Sequence, residues 1–536
     1  MPFYPFALKR IAAVEHARGV HKNRQEPEMK NMPGYVVSIF CFLTIILLGG
    51  CEQKNSSSIM PLSQKILHLS INGRSMEMPL SESGALFDVE TLNTEFPNRI
   101  ELINKLPGVS ISFDGQALKQ GTPIRVKISK IAYDKNIPIV ITDGNDTRTV
   151  GIRTLNSNIP NYTAAGKSPY SGHYYITLLT IPIVLKLDQA GEIVFYQCDK
   201  DASQYAANMA AARADPTVSV NIMSYWDFKK HALSGGKVRY SYHEQSPSYN
   251  RLNNLAYSAG TRVVLDEQYN EITRIYQLPE DESSLNAVEG HDFYMIDDGH
   301  YIVSNYELRL VHNIPGKLNP QIQGSKVQAA HLQEVKDGVV LLNWYSTDHV
   351  ELYALSEDGY NDFANVTTQE PDYIHFNSVD IDTDGNLICS FRNISTILKL
   401  DRKTGDIIWR LSGASDDFGL SDYQKTSNQH YARKTTDGYI TIFDNNVRNK
   451  KTRVLKLKID EGSSVLEEWK EYIVPGHFSV VCGSAMNIEN DVFVIGWGFS
   501  TENYAALTEI DFAADRKLFE LTFPSGYNAT YRCAKY

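Results

Sequence analysis

"TTDGYITIFDNN", residues 435–446, is the stretch on which the fold turns. Asp437-Gly438 is a two-residue hairpin signal, because glycine enters the positive-φ region that such a tight turn requires. The run after it, Ile440 to Phe443, is β-branched and aromatic, as strands are. The same arrangement recurs in "IDDGHYIVSNYE" (296–307), "VKDGVVLLNWYS" (335–346) and "DTDGNLICSFRN" (382–393). Between these hairpins lie pairs of the form apolar run, turn, apolar run. Examples are "RVVLDEQYNEITRIYQL", "TILKLDRKTGDIIWRL" and "RVLKLKIDEGSSVLEEWKEY". "IVLKLDQAGEIVFYQ" and "ALTEIDFAADRKLFELTF" fit the same template near the two ends of the series. Four strands per unit, at a period of roughly 40–60 residues, is the signature of a β-propeller. About six units fit this template. A tandem of plain sandwiches would not repeat the hairpin and outer pair in this order.

The fold class expected is all-β, a six-bladed propeller over 161–536 preceded by a small antiparallel β-sandwich over 63–160. The latter rests on short strand-like runs with frequent turns, such as "TPIRVKISK" and "IPIVITDGNDTRTVGIRTL". One helix is expected at the alanine-rich "SQYAANMAAARAD".

The chain has 536 residues, 31 of them Tyr and 21 Phe, a bias toward strands. Its net charge is −11 and it has no long basic block, which argues against a nucleic-acid partner. The first fifty residues read as an export signal. Basic residues, including Lys22, Arg24 and Lys30, precede the apolar "GYVVSIFCFLTIILLGGC". That run is short for a membrane span. The ending "LLGGC" resembles a bacterial lipobox, making Cys51 the expected lipidated residue and 51–62 a tether. The true start then falls at Met29 or Met32. An ordinary signal peptide or an uncleaved anchor is the alternative. The expected location is a membrane-anchored lipoprotein facing the periplasm or cell exterior. An oxidising compartment permits disulfides among Cys198, Cys389, Cys482 and Cys533, with the pairing open.

The Asp-Gly turns serve as a ruler. His291, Asn377 and His430 each lie eight residues before a turn glycine (Gly299, Gly385 and Gly438), and His331 lies seven before Gly338. Equivalent spacing predicts that all four open inner strands, which in a propeller line the central channel. Arg392 lies seven residues after Gly385, so the returning strand brings it back beside Asn377 and His375. Tyr306, Tyr345 and Asn445 are the matching returning positions. An arginine fork with asparagine and imidazole donors suits a tetrahedral oxyanion. Imidazole also supplies a nucleophile or a general base. No carboxylate stands at a ruler position, which disfavours a glycosidase or a hydrated-cation site. "DIDTDGN" begins like a calcium loop, but the twelfth residue from Asp380 is Phe391 and not glutamate, so a hairpin turn is the reading.

"GHDFYMIDDGHYIVSNYE", "WYSTDHVE", "DYIHFNSVDIDTDGNLICSFRNISTILKLDRKTGDIIWRLSG" and "NQHYARKTTDGYITIFDNN" resemble the bacterial arylsulfate sulfotransferase family. That resemblance implies an exported six-bladed propeller that moves a sulfuryl group from an aryl sulfate to a phenolic acceptor, using no nucleotide donor, cofactor or metal. It makes His430 the nucleophile, transiently sulfated, with His291 and His375 as the other channel histidines. Arg392 and Asn377 become the donors to the sulfuryl oxygens, and His331 a lesser substrate contact. The expected partners are the aryl sulfate donor, the phenolic acceptor, the membrane through the lipid and a second copy of the chain. Two departures stand out. Tyr431 replaces the Asp usual after the histidine, and Asn393 follows Arg392 where His is usual. The loop before His430 also lacks the Cys that some members carry. Two other readings remain: a non-catalytic propeller lipoprotein that binds an anionic or phenolic ligand, and a metal-dependent propeller lyase.

Overall fold

The computed structural model describes residues 61–536, apart from short segments, chiefly 81–85, 91–97, 129–135, 215–219, 247–257, 280–286, 319–323, 358–362, 364–369 and 501–504. The expected signal and Cys51 therefore lie outside the described residues. Among the described residues, no helix is long and apolar enough to cross a membrane.

The chain is nearly all β, and the alternating apolar runs build antiparallel hairpins as their turn chemistry dictates. Among the described residues the exceptions are one α-helix, α1 (Ala202–Ala214), where the alanine-rich run places it, and a few short 3-10 turns. Two sheets occupy the part before residue 160. Their ladders are antiparallel except one: Leu86–Glu90 runs parallel to Asp146–Leu155. This departs from the wholly antiparallel expectation. Strand alternation reports which face is buried and is silent on pairing direction.

From Thr163 onward the strands form six sheets in sequence. Five of them begin with an edge strand: β1 (Tyr225–Ala232), β2 (Phe293–Asp297), β3 (Phe376–Ile381), β4 (His430–Lys434) and β5 (Ser484–Glu489). The remaining sheet is built outward from Tyr174–Leu178, and the chain's last strand, β6 (Cys533–Lys535), adds to its inner edge. Thr163–Gly166 in turn adds to the outer edge of the β5 sheet. β2 packs against β3, β3 against β4, β4 against β5, and β6 against both β5 and β1. Lys229 of β1 reaches Asp292, just before β2, at 2.7 Å.

The outer pairs read from sequence are the third and fourth strands of their sheets, for instance Thr396–Leu400 with Ile407–Leu411. Trp409, on that fourth strand, is buried as packing against Phe418. Apolar faces of neighbouring sheets interlock: Ile388 and Ile397 of one sheet meet Ala432, Ile442 and Leu455 of the next. Burial of this kind stabilises by roughly 25 cal/mol per Å² of apolar surface.

The ruler holds at three turns and fails at the fourth. Gly299, Gly385 and Gly438 join first to second strands. Gly338 instead joins the third strand, Ser325–Lys336, to the fourth, Val339–Tyr345. All four glycines have positive φ, so any tight hairpin selects the same dipeptide wherever it lies in the sheet.

Candidate active site

His430 opens β4 and is buried. Its Nδ1 lies 2.6 Å from Asn445 Oδ1. Both amide hydrogens of Asn445 are committed, to the carbonyls of Ser479 (2.9 Å) and Cys482 (3.0 Å). The group facing His430 is therefore the Asn445 oxygen, so Nδ1 carries the proton and Nε2 the lone pair. Among the described residues, the group on Nε2 is the backbone N–H of Cys482, at a long 3.3 Å. Burial, followed by the Arg392 charge, holds the His430 pKa well below its usual value. The ring is thus neutral near pH 7, with an unprotonated nitrogen presented by a fixed partner.

His291 and His375 form a second unit. Their Nε2 atoms are 3.3 Å apart and their rings meet edge-on at 4.9 Å between centroids. Each has a carboxylate behind it. Glu289 Oε1 is 2.5 Å from His291 Nδ1, and Asp372 Oδ2 is 2.5 Å from His375 Nδ1. Two carboxylate-backed imidazoles with facing nitrogens are placed to pass a proton between them. Burial, the largest influence, pulls the His291 pKa down, and Glu289 acts against it. Trp226, Tyr306 and Tyr531 surround the pair, with ring centroids 5.3–5.8 Å from His291.

Arg392 stands where the returning strand was expected to put it: its backbone N–H donates to the His375 carbonyl at 2.8 Å. Its Nη1 donates to Asn393 Oδ1 at 2.7 Å, while its buried Nε has no hydrogen-bond partner among the described residues. That orphan donor, close enough for its charge to depress His430, is ready for an anion. Asn393, the departure noted in the sequence, braces the guanidinium and donates to the Asp372 carbonyl at 2.6 Å.

Asn377 is beside the site but turned to the backbone, its Nδ2 donating to the Gln429 carbonyl at 2.7 Å. It holds the residue before the nucleophile candidate. The Asn377 carbonyl accepts from Arg532 Nη2 at 2.5 Å.

His331 departs from its predicted place. It lies in the third strand of its sheet, with Nδ1 by Gln277 and Glu307, Nε2 by Asn343 and its ring stacked 3.8 Å from Tyr345. The cause is the outer hairpin at Gly338. His331 and Tyr345 are satisfied by their own sheet and do not join the other histidines.

The backbone has an unusual way of aiming these groups. Asp227 and Tyr431 are non-glycine residues in the left-handed region, with φ of 50° and 52°, and His375 has φ 53°. The ladders of β1, β3 and β4 slip at Trp226/Lys229, Phe376/Ser378 and His430/Arg433. Such bulges re-aim side chains next to functional sites.

Sequence reasoning missed Glu289, Asp372, Cys482 and Arg532. The two carboxylates had a faint signal, since they sit two and three residues before their histidines. Cys482 and Arg532 have none, being outside the repeat positions used. Of the four cysteines left open by the sequence, Cys389, Cys482 and Cys533 are free, and all four are buried. The acidic loop "DIDTDGN" holds no vacancy: Lys399 Nζ lies 2.7–2.9 Å from Asp382, Asp384 and Glu461.

Comparison with known proteins adds one match and several distant likenesses. The arylsulfotransferase (ASST) family model matches residues 248–491, which bears out the resemblance seen in the motifs. No curated protein matches the chain. Similar solved structures include a protein of unknown function from Bacteroides caccae, at 10% identity and a TM-score of 0.39, covering 68% of this chain and 99% of that one. Virginiamycin B lyase from Staphylococcus aureus matches at 10% identity and a TM-score of 0.28, over 68% of this chain and 99% of that one.

Proposed function

We infer, from the match of residues 248–491 to the arylsulfotransferase family, that this protein transfers a sulfuryl group from an aryl sulfate to a phenol through a sulfated His430. The observation that carries this reading is the fixed tautomer of His430, neutral and with Nε2 unprotonated.

The donor binds with its sulfuryl oxygens toward Arg392 and its ring among Trp226, Tyr306 and Tyr531. The His430 Nε2 lone pair attacks sulfur, the S–O bond to the aryl oxygen breaks, and the oxygen leaves with the electron pair. The His291–His375 unit supplies a proton to that oxygen. The sulfated ring keeps its Nδ1 proton, and the Asn445 oxygen stabilises its positive charge. In the second half, the acceptor phenol gives its proton to the same histidine unit. Its oxygen attacks sulfur, and the N–S bond breaks back to His430. Charge spreading over the sulfuryl oxygens meets donors already aimed, the largest source of rate in such transfers.

In this reading the six sheets are the blades of a propeller and residues 63–160 a separate β-sandwich. Residues 1–50 are a signal and Cys51 the lipid-bearing residue that anchors the exported protein.

The test is intact mass after addition of 4-nitrophenyl sulfate without acceptor. A gain of one sulfuryl group, discharged by phenol and absent from His430→Ala, is expected. Transfer that survives His430→Ala overturns the reading.

A further inference from the structure

A cavity of about 220 Å³ lies further along the inner strands than the histidines, lined by Lys229, Lys230, Tyr294, Arg433 and Arg532 among others. Lys229 and Arg433 follow Trp226 and His430 by three residues each, across the bulges at Asp227 and Tyr431. Arg532 joins the two levels. It donates to the Asn377 carbonyl on one side and pairs with Asp292 at 2.8 Å on the other.

The charges around this cavity do not balance. Lys229, Arg433 and Arg532 all pair with Asp292, at 2.7, 2.8 and 2.8 Å. Lys229, Arg262 and Arg532 share Asp227, at 2.8, 3.0 and 3.3 Å. Four cations thus divide two carboxylates. Asp380 is the other buried acid near Arg433, and burial pushes its carboxyl toward the neutral form. Burial also pulls the Lys229 ammonium toward its neutral form; with Lys229 neutral and Asp380 protonated, the three guanidiniums still outnumber Asp227 and Asp292. His231 is bonded to Ser241 at 2.6 Å and held neutral by burial, and burial likewise keeps the lining hydroxyls of Tyr294, Tyr431 and Tyr536 protonated. Half-buried Lys230 adds one more positive charge at the rim. The buried Nε of Arg532 and Nη1 of Arg262 have no hydrogen-bond partner among the described residues. Uncompensated buried charge costs several kcal/mol per ion, so a counter-charge is called for. Arginine forks match tetrahedral oxyanions.

We propose that this cavity is a second anion site, separate from the sulfuryl site, that takes a small tetrahedral oxyanion of the sulfate or phosphate class. Bound there, the anion supplies the missing charge between β1, β2, β4 and β6. It also keeps Arg532 against Asn377, and Asn377 in turn against the residue before His430.

The experiment is equilibrium dialysis of the purified protein with labelled sulfate, and in a second arm with labelled phosphate, against chloride of matched ionic strength. Two sulfates per chain are expected. Arg392→Met is expected to leave one, the cavity anion. Arg433→Met is expected to leave the other. Because Arg433 also holds Asp292, Ala232→Glu provides a milder variant, placing a carboxylate on an exposed rim residue. It is expected to weaken the second sulfate at least tenfold and leave the first unchanged. The phosphate arm distinguishes which oxyanion the cavity selects. A single sulfate that Arg392→Met abolishes and both cavity variants leave intact overturns the proposal. So does an Ala232→Glu variant that raises the KM for the aryl sulfate with no change in sulfate stoichiometry, since the cavity would then belong to the donor site.

Discussion

Replacing Asn445 by leucine removes the oxygen that holds the His430 Nδ1 proton. The ring would then sample both tautomers, and transfer is expected to fall ~10–100-fold, the usual cost of losing a partner that orients an imidazole. Asn445→Asp makes a sharper test. A carboxylate on Nδ1 favours the charged ring and raises its pKa. The wild-type pH profile should show no fall due to His430 between pH 7 and 6, because its pKa lies well below the usual value. The aspartate variant should lose kcat/KM over that interval as Nε2 takes up a proton. Identical profiles would show that Asn445 does not set the tautomer. The repeat spacing found His430, Asn445 and Arg392 because they stand at fixed distances from an inner hairpin turn. It misplaced His331, whose turn is an outer one. It could not find Glu289 or Asp372, because hydrogen bonds behind a histidine obey no repeat.

At the scale of elements, the loop that presents Cys482 depends on a glycine. Gly483 has φ 104°, and a Cβ there would meet the Phe443 ring at 2.2 Å. Gly483→Ala must shift the loop, with the strain of a left-handed residue added, ~1–3 kcal/mol. The loop also supplies the carbonyl that commits Asn445, so activity is expected to fall further than the thermal midpoint suggests. Normal transfer by a destabilised variant would separate the loop from the site. Lys399 gives a second test. Its ammonium stands where three carboxylates converge, and removing one partner of a buried ion pair costs about 3–5 kcal/mol. The lower end is expected here, since Asp384 is half exposed. Lys399→Met should therefore lower the unfolding midpoint, and millimolar calcium should restore part of the loss by occupying the carboxylates. The hairpins and outer pairs were legible from turn dipeptides and apolar alternation. The parallel pairing of Leu86–Glu90 was not, because either pairing direction buries the same face.

For the whole molecule, buried histidines govern the response to acid. His243 is held down at about 3 and His477 at about 4, chiefly by burial. His231, His291 and His430 are lowered by the same cause. The unfolded chain takes up protons below about pH 6.5, while the fold refuses them. Stability is therefore greatest above that pH and falls as pH drops, by ~1.4 kcal/mol per pH unit for each histidine until its folded pKa is reached. Urea midpoints should decline steeply from pH 6.5 to 4.5. A flat profile over that range would contradict the assignment.

The strand β6 gives the assembly an order in time. The sheet begun at Tyr174 receives its innermost member from Cys533–Lys535, so it stays one strand short until the rest of the chain has been synthesised. Arg532, which ties Asn377 to Asp292, arrives with it. Each earlier sheet can form as its residues emerge, but the guanidinium that joins them comes at the close. A chain stopped before Arg532 would lack both this strand and the guanidinium that ties Asn377 to Asp292.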